Sequence, residues 1–347
     1  MQKKYQLDPE MLQRLPDIVK VYQLPSARKA TIQILNTFLP FLAMWTAIYL
    51  LIDYSVWLAL PIALVNGFFL GRIFIIQHDC GHHSFTPSKQ ANDTIGMVAS
   101  LLTCIPYKYW ARGHNFHHSH NGVLWEHRDI GDIPMLTVKE FHQMNWWGKF
   151  QYMVLRSGFV LFLIVPLVYI FFNNRLPLIQ LKGFEMARRA LWRSTALTLA
   201  FYAAIVLLLG WKALIMHLVI VWIFGIIALW FFYIQHQHET AYKEWKDRWD
   251  YLRAAIQGST YYKLPKMMHW LTGNIGYHHI HHLNPLVPNY ELARCHRENP
   301  VFEKLANTLS FWESLKCVFN KLWDEEQERM ISFREYFQKY GNPGLAN

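Results

Sequence analysis

Cysteine is scarce in this chain: Cys80, Cys104, Cys295 and Cys317 are the only four among 347 residues, and no two stand at a C-x-x-C spacing. That argues against a disulfide framework, and it fits soluble parts facing a reducing cytosol. No Gly-x-Gly element is present to cradle phosphates, and no G-x-S-x-G elbow to present a serine nucleophile, so nucleotide binding and Ser/His/Asp hydrolysis find no support. Internal repeats and low-complexity tracts are missing as well. Acidic residues are also few, 24 against 34 Lys and Arg, leaving a formal charge of +10. The cations are scattered beside apolar runs rather than gathered in one stripe, so anionic lipid headgroups are a better counterpart than nucleic acid.

What the chain has in quantity is hydrophobic residues, 53% of the total with 16% aromatic. Thr31 to Ile52 and Val56 to Ile76 are each long enough to cross a hydrocarbon layer of about 30 Å, and only Asp53-Tyr54-Ser55 separates them. Ser194 to Leu209 and Ala213 to Ile234, joined by Gly210-Trp211-Lys212, repeat the pattern. The reading is two out-and-back hairpins, 31–76 and 194–234. Lys3, Lys4, Arg14, Lys20, Arg28 and Lys29 precede the first run without a signal-peptide layout, which keeps the N-terminus cytoplasmic. Arg72 is expected to snorkel toward headgroups. Thr94 to Tyr107 and Met153 to Phe172 are also apolar, yet parity forbids them to cross: either one crossing would leave the histidine clusters on different sides. They are expected to be embedded or interfacial, and Met267 to Ile275 to lie on the membrane surface.

Those clusters are the strongest chemical signal. His78-Asp-Cys-Gly-His82-His83 and His114-Asn-Phe-His117-His118 are followed far along the chain by Tyr277-His278-His279-Ile-His281-His282. On a helix, residues four apart share a face, so His78 with His82, His114 with His118, and His278 with His282 can each address one ion. Adjacent histidines diverge by roughly 100°, so a pair such as His117 and His118 suits two ions side by side. Imidazole accepts Fe, Cu, Zn or Ni, but eight or more histidines exceed what one tetrahedral zinc can use. A dinuclear, redox-capable centre is the reading. His142, His217, His269 and His296 stand alone and are read as core or surface residues. Cys80, inside the first cluster, is not needed as a ligand. Asp79, Glu126, Asp129, Asp132 and Glu239 lie near the clusters in sequence and are expected to orient imidazoles rather than bind metal.

A di-metal site at the face of a lipid-embedded bundle suits a substrate dissolved in the bilayer, with an acyl chain entering between helices. Attack on an unactivated C–H bond needs an oxidant that iron can generate from O2 and zinc cannot.

The H-D-C-G-H, H-N-F-H-H and H-H-I-H-H set resembles the three histidine boxes of the membrane-bound fatty acid desaturase and hydroxylase superfamily. Residues 131–141, 233–237 and 261–290 resemble more closely its bacillary branch, which makes Δ5-unsaturated phospholipid chains, and the similarity runs from about residue 30 to residue 335. The resemblance implies an all-α integral membrane fold with four transmembrane helices in two hairpins, interfacial helices, and a cytosolic histidine-rich cap holding two metals. By position it implies ligands at His78 and His82, at His114, His117 and His118, at His278, His281 and His282, and a further histidine at His236. His83, His120, His238 and His279 are surplus to the pattern, which leaves His236 against His238 open. Two non-haem Fe ions, O2 as co-substrate, membrane phospholipid acyl chains as substrate, and an external donor of the ferredoxin, flavodoxin or cytochrome type are implied too, since no His-Pro-Gly-Gly haem motif occurs. The expected layout is a cytosolic segment over 1–30, one desaturase domain over 31–340 with its cap at 77–193 and 235–340, and a flexible tail over 341–347. A bacterial plasma membrane, with clusters and both termini cytoplasmic, is the expected location. The rivals are a hydroxylase or carotenoid ketolase on the same scaffold, and a non-catalytic metal-binding or transport protein, for which only His217 offers an ionisable group within a span.

Overall fold

The structure is a computed structural model, and it describes residues 9–340. Lys3, Lys4 and the expected tail over 341–347 lie outside the described residues. In chain order the helices are α1 (Pro9–Lys20), α2 (Ala27–Leu51), α3 (Val56–Gly81), α4 (Lys89–Thr103), α5 (Tyr107–His120), α6 (Val138–Gln143), α7 (Trp146–Leu155), α8 (Val165–Phe171), α9 (Glu185–His236), α10 (Tyr251–Gln257), α11 (Lys266–Leu271), α12 (His278–Leu283), α13 (Asn289–Glu298), α14 (Val301–Leu305), α15 (Phe311–Lys316) and α16 (Phe333–Tyr340). Short strands depart from the all-α expectation. Val123–Leu124 pairs in parallel with Glu244–Trp245, and Thr260–Tyr262 with Asn307–Leu309, while Leu322–Asp324 joins Leu136–Thr137 and Arg329–Ile331 in a third small sheet. All three sheets lie in the cap, where backbone groups of loops too short for helices find partners in one another.

By length and composition, α2, α3 and α9 are able to cross a membrane, and the bent pair Trp146–Leu155 and Val160–Arg175 adds a fourth candidate if taken as one span. Straight, the 52 residues of α9 would reach about 78 Å, far beyond the ~30 Å of hydrocarbon. They do not run straight. Gly210 sits at φ 82°, ψ 172° inside the helix, a conformation essentially closed to residues with a Cβ. Both ends of α9 meet α5, through Phe184 on Phe116 at 6.2 Å and His236 on His117 at 4.6 Å between ring centroids. The break meets the α2–α3 turn instead, where Lys212 Nζ lies 2.5 Å from Asp53 Oδ2 and Tyr49 donates to the Leu209 carbonyl at 3.0 Å. The two apolar hairpins therefore stand side by side, turns at one end and histidines at the other.

Their common core is Phe41, Leu70, Ile73, Ile220 and Phe224, while Leu39, Leu50, Trp57, Leu199, Leu207 and Leu208 stay exposed on the outer faces. An apolar exterior on apolar helices is the arrangement lipid favours. The segment from α7 to α8 is bent by 58°. It leaves the histidine end at Arg156, which donates to Tyr233 and Gln237, and it passes Trp222, whose indole bonds the Leu163 carbonyl. At its far end Arg175 donates to the Cys104 carbonyl at 2.7 Å, and the chain then runs on to Phe184 beside Phe116.

Arg72 overturns an expectation. It is 4% exposed, gives Nε to Thr37 Oγ1 at 2.9 Å, bonds the Trp270 carbonyl, and lies over the Trp270 ring. Six residues below His78, it is consumed by neighbouring backbone and hydroxyl before it can reach headgroups. His217 is likewise enclosed: Nε2 pairs with the Leu102 carbonyl at 3.0 Å, and Phe41 and Tyr202 cover the ring. It lines no pathway, which removes the one group the transport reading relied on.

Gly210→Ala should destabilise the protein by about 1–3 kcal/mol, because alanine cannot take this backbone without strain. Gly71→Ala should be neutral or stabilising by about 0.5–1 kcal/mol, since its new methyl would meet only Phe224 at 3.8 Å. Thermal denaturation in detergent reads both, and equal melting points for the two variants would contradict the hairpin tip assigned to Gly210.

Candidate metal centre

Helix α3 carries His78 on its last turn and His82 just past its end, while α5 and α12 carry the second and third clusters. Gly131 lets the loop after α5 pack down. It has φ +73°, and a Cβ there would sit 2.6 Å from the Gly113 carbonyl and 3.0 Å from His117 Cβ.

The clusters converge into two groups. His78, His82, His114, His118 and His281 each offer a nitrogen, all within 4.8 Å of one another, and His117, His236 and His282 do the same. His278 joins the second group, its Nε2 lying 2.9 Å from His236 Nε2 and 3.1 Å from His282 Nε2. The groups touch: the His118 and His282 rings stack at 4.2 Å. The adjacent His117 and His118 thus face different groups, as their divergence on a helix requires. Nitrogens about 2.1 Å from one ion lie roughly 3.0–3.4 Å apart around it. The approaches of His118 to His114 at 3.0 Å and His117 to His236 at 3.3 Å match that spacing.

All nine rings are buried. The Nε2 atoms of His78, His82 and His281 are buried without any hydrogen-bond partner, a costly state that a shared cation would relieve. Burial, reinforced by neighbouring imidazoles, pushes His82, His114, His118, His278, His281 and His282 well below the ordinary value of 6.5. They stay neutral, the form in which imidazole binds metal. These residues fit a pair of divalent ions.

The outer contacts choose which nitrogen faces inward. Asp79 Oδ1 lies 2.8 Å from His78 Nδ1, and Oδ2 accepts from the backbone and side-chain N–H of Asn289 at 2.6 and 2.8 Å. His236 Nδ1 faces the Gly258 carbonyl at 3.2 Å, and Asp132 Oδ2 is 3.6 Å from His117 Nδ1. A partner on Nδ1 leaves Nε2 free for the cluster. Of the other acids expected to do this, Glu126 is solvated beside His127 and Glu239 is 65% exposed beside Arg329. Neither reaches a clustered imidazole, because the loops carrying them turn outward. Asp129 lies close to Arg128 and Asp132 instead, its carboxyl raised by burial.

The surplus histidines fall outside both groups. His83 faces Asp93, His120 stacks between Phe116 and Trp125, His279 pairs with His296, and His238 meets Thr240. His142, bonded to Tyr336, and His269 are also elsewhere. Cys80 is buried and unpaired, like the other three cysteines, and belongs to neither group. Sequence reasoning missed Asn289, the Gly258 carbonyl, and Trp110, which stacks on His114 at 4.6 Å. Asn289 stands just beyond the third cluster, in N-P-L-V-P-N-Y, but nothing in its spacing signals a contact with Asp79.

Comparison with known proteins decides the family: the model of the family described as "Fatty acid desaturase" matches residues 55–312. The chain belongs to the fatty acid desaturase family. It is 39% identical over 318 residues to the "Fatty acid desaturase" of Bacillus subtilis (strain 168), covering 91% of this chain and 89% of that one. It is also similar to the "sn-1 oleoyl-lipid 12-desaturase" of Anabaena variabilis, at 26% identity over 82% of this chain and 81% of the relative. The "sn-1 acyl-lipid omega-3 desaturase (ferredoxin)" of a Synechocystis species is 28% identical over 69% of this chain and 66% of its own. The desaturase is thus a membrane oxidoreductase with acyl-lipid desaturases among its relatives, and the matched range contains both buried histidine groups.

Because the unfolded chain titrates near 6.5 and the buried imidazoles well below it, the folded state binds fewer protons than the unfolded chain once pH falls through that value. The stability these groups contribute at neutral pH is lost there. Metal-free desaturase should therefore lose melting temperature as pH falls from about 7.5 to 5.5, while metal-loaded protein should keep its ions over that interval, because the folded imidazoles take up no protons there. A melting point of the metal-free protein unchanged across that range, or ions lost from the folded protein within it, would contradict burial of neutral imidazoles.

Proposed function

We propose that the chain is an O2-dependent acyl-lipid desaturase of a bacterial plasma membrane, inserting a double bond into phospholipid acyl chains with electrons from a separate ferredoxin-, flavodoxin- or cytochrome-type carrier. The observation that carries this reading is the pair of touching, water-excluded imidazole groups at one end of an apolar double hairpin. His78, His82, His114, His118 and His281 would hold one iron, and His117, His236, His278 and His282 the other. Such a pair supplies, with O2, an oxidant able to take hydrogen from an unactivated methylene.

The electrons balance without a further reactant. The chain gives up two hydrogens, the carrier two electrons and the solvent two protons, and O2 leaves as two waters. The protein's own residues set the conditions: Asp79, Asp132 and the Gly258 carbonyl hold imidazoles in register, and burial of the rings excludes bulk water that would quench the oxidant. Residues 31–340 act as one desaturase domain in this reading, with four spans, the cap and both termini cytoplasmic, and His236 rather than His238 as the ninth ligand. The geometry around His236 supports that choice, because His238 Nε2 is buried with no nitrogen of the two groups beside it.

Expression in a host with mainly saturated lipids tests the reaction. New lipids lighter by two mass units are expected, with double bonds locatable by mass spectrometry, while a gain of sixteen would replace desaturation by hydroxylation or ketolation. His236→Ala should abolish product and His238→Ala should retain it, and the reverse pattern would exchange their roles. For topology, an impermeant thiol reagent should reach His83→Cys and Asp53→Cys from opposite sides, with His83→Cys labelled only when the cytoplasmic face is opened. Labelling of both from one side would break the hairpin reading.

A further inference from the structure

An external carrier must bring its electrons to within reach of rings that are all buried, so the cap needs a place where a surface group is bonded to a ligand-bearing helix. One such place stands out. Tyr251 is 37% exposed, yet its hydroxyl donates to the backbone carbonyl of His282 at 3.0 Å. Two residues earlier, Trp249 gives its indole N–H to the carbonyl of Asn121, just past the end of α5, at 2.9 Å. The Trp249 and Tyr251 rings lie 6.2 Å apart. Lys246, from the same loop, sits 4.7 Å over Trp125, whose ring stacks on His120, two residues beyond His118. A single exposed loop therefore touches both helices that carry the second and third histidine clusters, α5 and α12. Helix α10, which the loop leads into, packs directly on α12.

We infer that this loop, residues 245–253, is the docking surface for a small soluble one-electron carrier protein, with Tyr251 as the entry point toward His282. The inference rests on the desaturase reading, which requires a separate donor. Its chemistry is an electron transfer: in each encounter the reduced carrier would give up one electron to the site that His282 and its neighbours would hold, and two encounters would supply one turnover. The surface also specifies the character of the encounter. Lys246, Arg248 and Arg253 are balanced by Glu244, Asp247 and Asp250, with Arg248 paired to Glu244 and Asp250 capping α10. With local charge cancelled, the aromatic faces of Trp249 and Tyr251 carry the contact, as large amphipathic rings do at interface centres. Binding should be weak, short-lived and little affected by salt, unlike an association steered by opposite charges.

The test uses full-length, iron-loaded protein in lipid nanodiscs. The probe is a [2Fe–2S] carrier kept reduced by its flavoprotein and NADPH, and dithionite serves as a small reductant that needs no docking. Trp249→Ala should raise the carrier concentration for half-maximal oxidation about tenfold, with dithionite-driven product unchanged. Tyr251→Phe, which removes only the hydroxyl bond, should slow carrier oxidation at saturation and leave the half-saturating concentration alone. Lys246→Ala with Arg253→Ala guards against a folding defect in the tryptophan variant. It should preserve the melting point and change the salt dependence by less than a factor of about two, in keeping with a charge-balanced patch. Unchanged half-saturation in Trp249→Ala together with an unchanged rate in Tyr251→Phe overturns the surface. So does a steep salt dependence of the wild type, which would move docking to an exposed cationic face elsewhere. If the wild type makes no double bond with either reductant, the desaturase reading fails instead, an outcome distinct from dithionite-driven product with a misplaced docking surface.

Discussion

Nine imidazoles buried within a few ångströms of one another are an unstable assembly on their own. Their nitrogens approach to about 3 Å, too close for several protonated rings and too dry for water to serve each of them. Burial removes the protons and leaves lone pairs converging on two points. A pair of cations held there would turn this arrangement from a liability into a strong cross-link in the cap, because it would tie the end of α3, the end of α9, α5 and α12 together. The rest of the architecture serves to bring those four segments to one end of the bundle.

Each hairpin contributes by reversing at a point far from the centre. Asp53 and Gly210 stand at the tips, so His78 and His236 arrive at the same end although 157 residues separate them along the chain. Small strand pairs then fasten the long cap loops, where residues 123–124 meet 244–245 and residues 260–262 meet 307–309. Arg156 extends this fastening. Its guanidinium reaches the Pro134 and Asn320 carbonyls, Tyr233 and Gln237, so the backbone beside His236 is held by the cap as well as by its own helix.

Much of this was legible in the residues, and the boundary between what was and was not has a physical cause. Local periodicity reports faces of helices, so the histidine spacing predicted which rings would fall in one group, and runs of apolar residues bounded by polar turns predicted both hairpins. The parity argument extended local signals to a global constraint on 94–107 and 153–172. Contacts between distant segments leave no such trace. Glu126 and Glu239 looked equivalent to Asp79 and Asp132 by proximity in sequence, and only the direction of the loops separates them. Arg72 resembled a snorkelling residue because nothing nearby in the chain reveals that Thr37 and the Trp270 carbonyl wait for it. The short cap strands were unreadable for a related reason: two- and three-residue strands have no periodicity to detect, and apart from the hairpin of 322–324 with 329–331 the pairings span over a hundred residues or, for 260–262, almost fifty.

The central claim is that these histidines hold two oxidisable ions per chain, and counting the ions tests it most directly. Elemental analysis combined with Mössbauer spectroscopy on protein purified with iron-57 should find two irons per chain in nitrogen-rich, high-spin environments. A single ion per chain, or a site filled by zinc with no iron that O2 can oxidise, would contradict it.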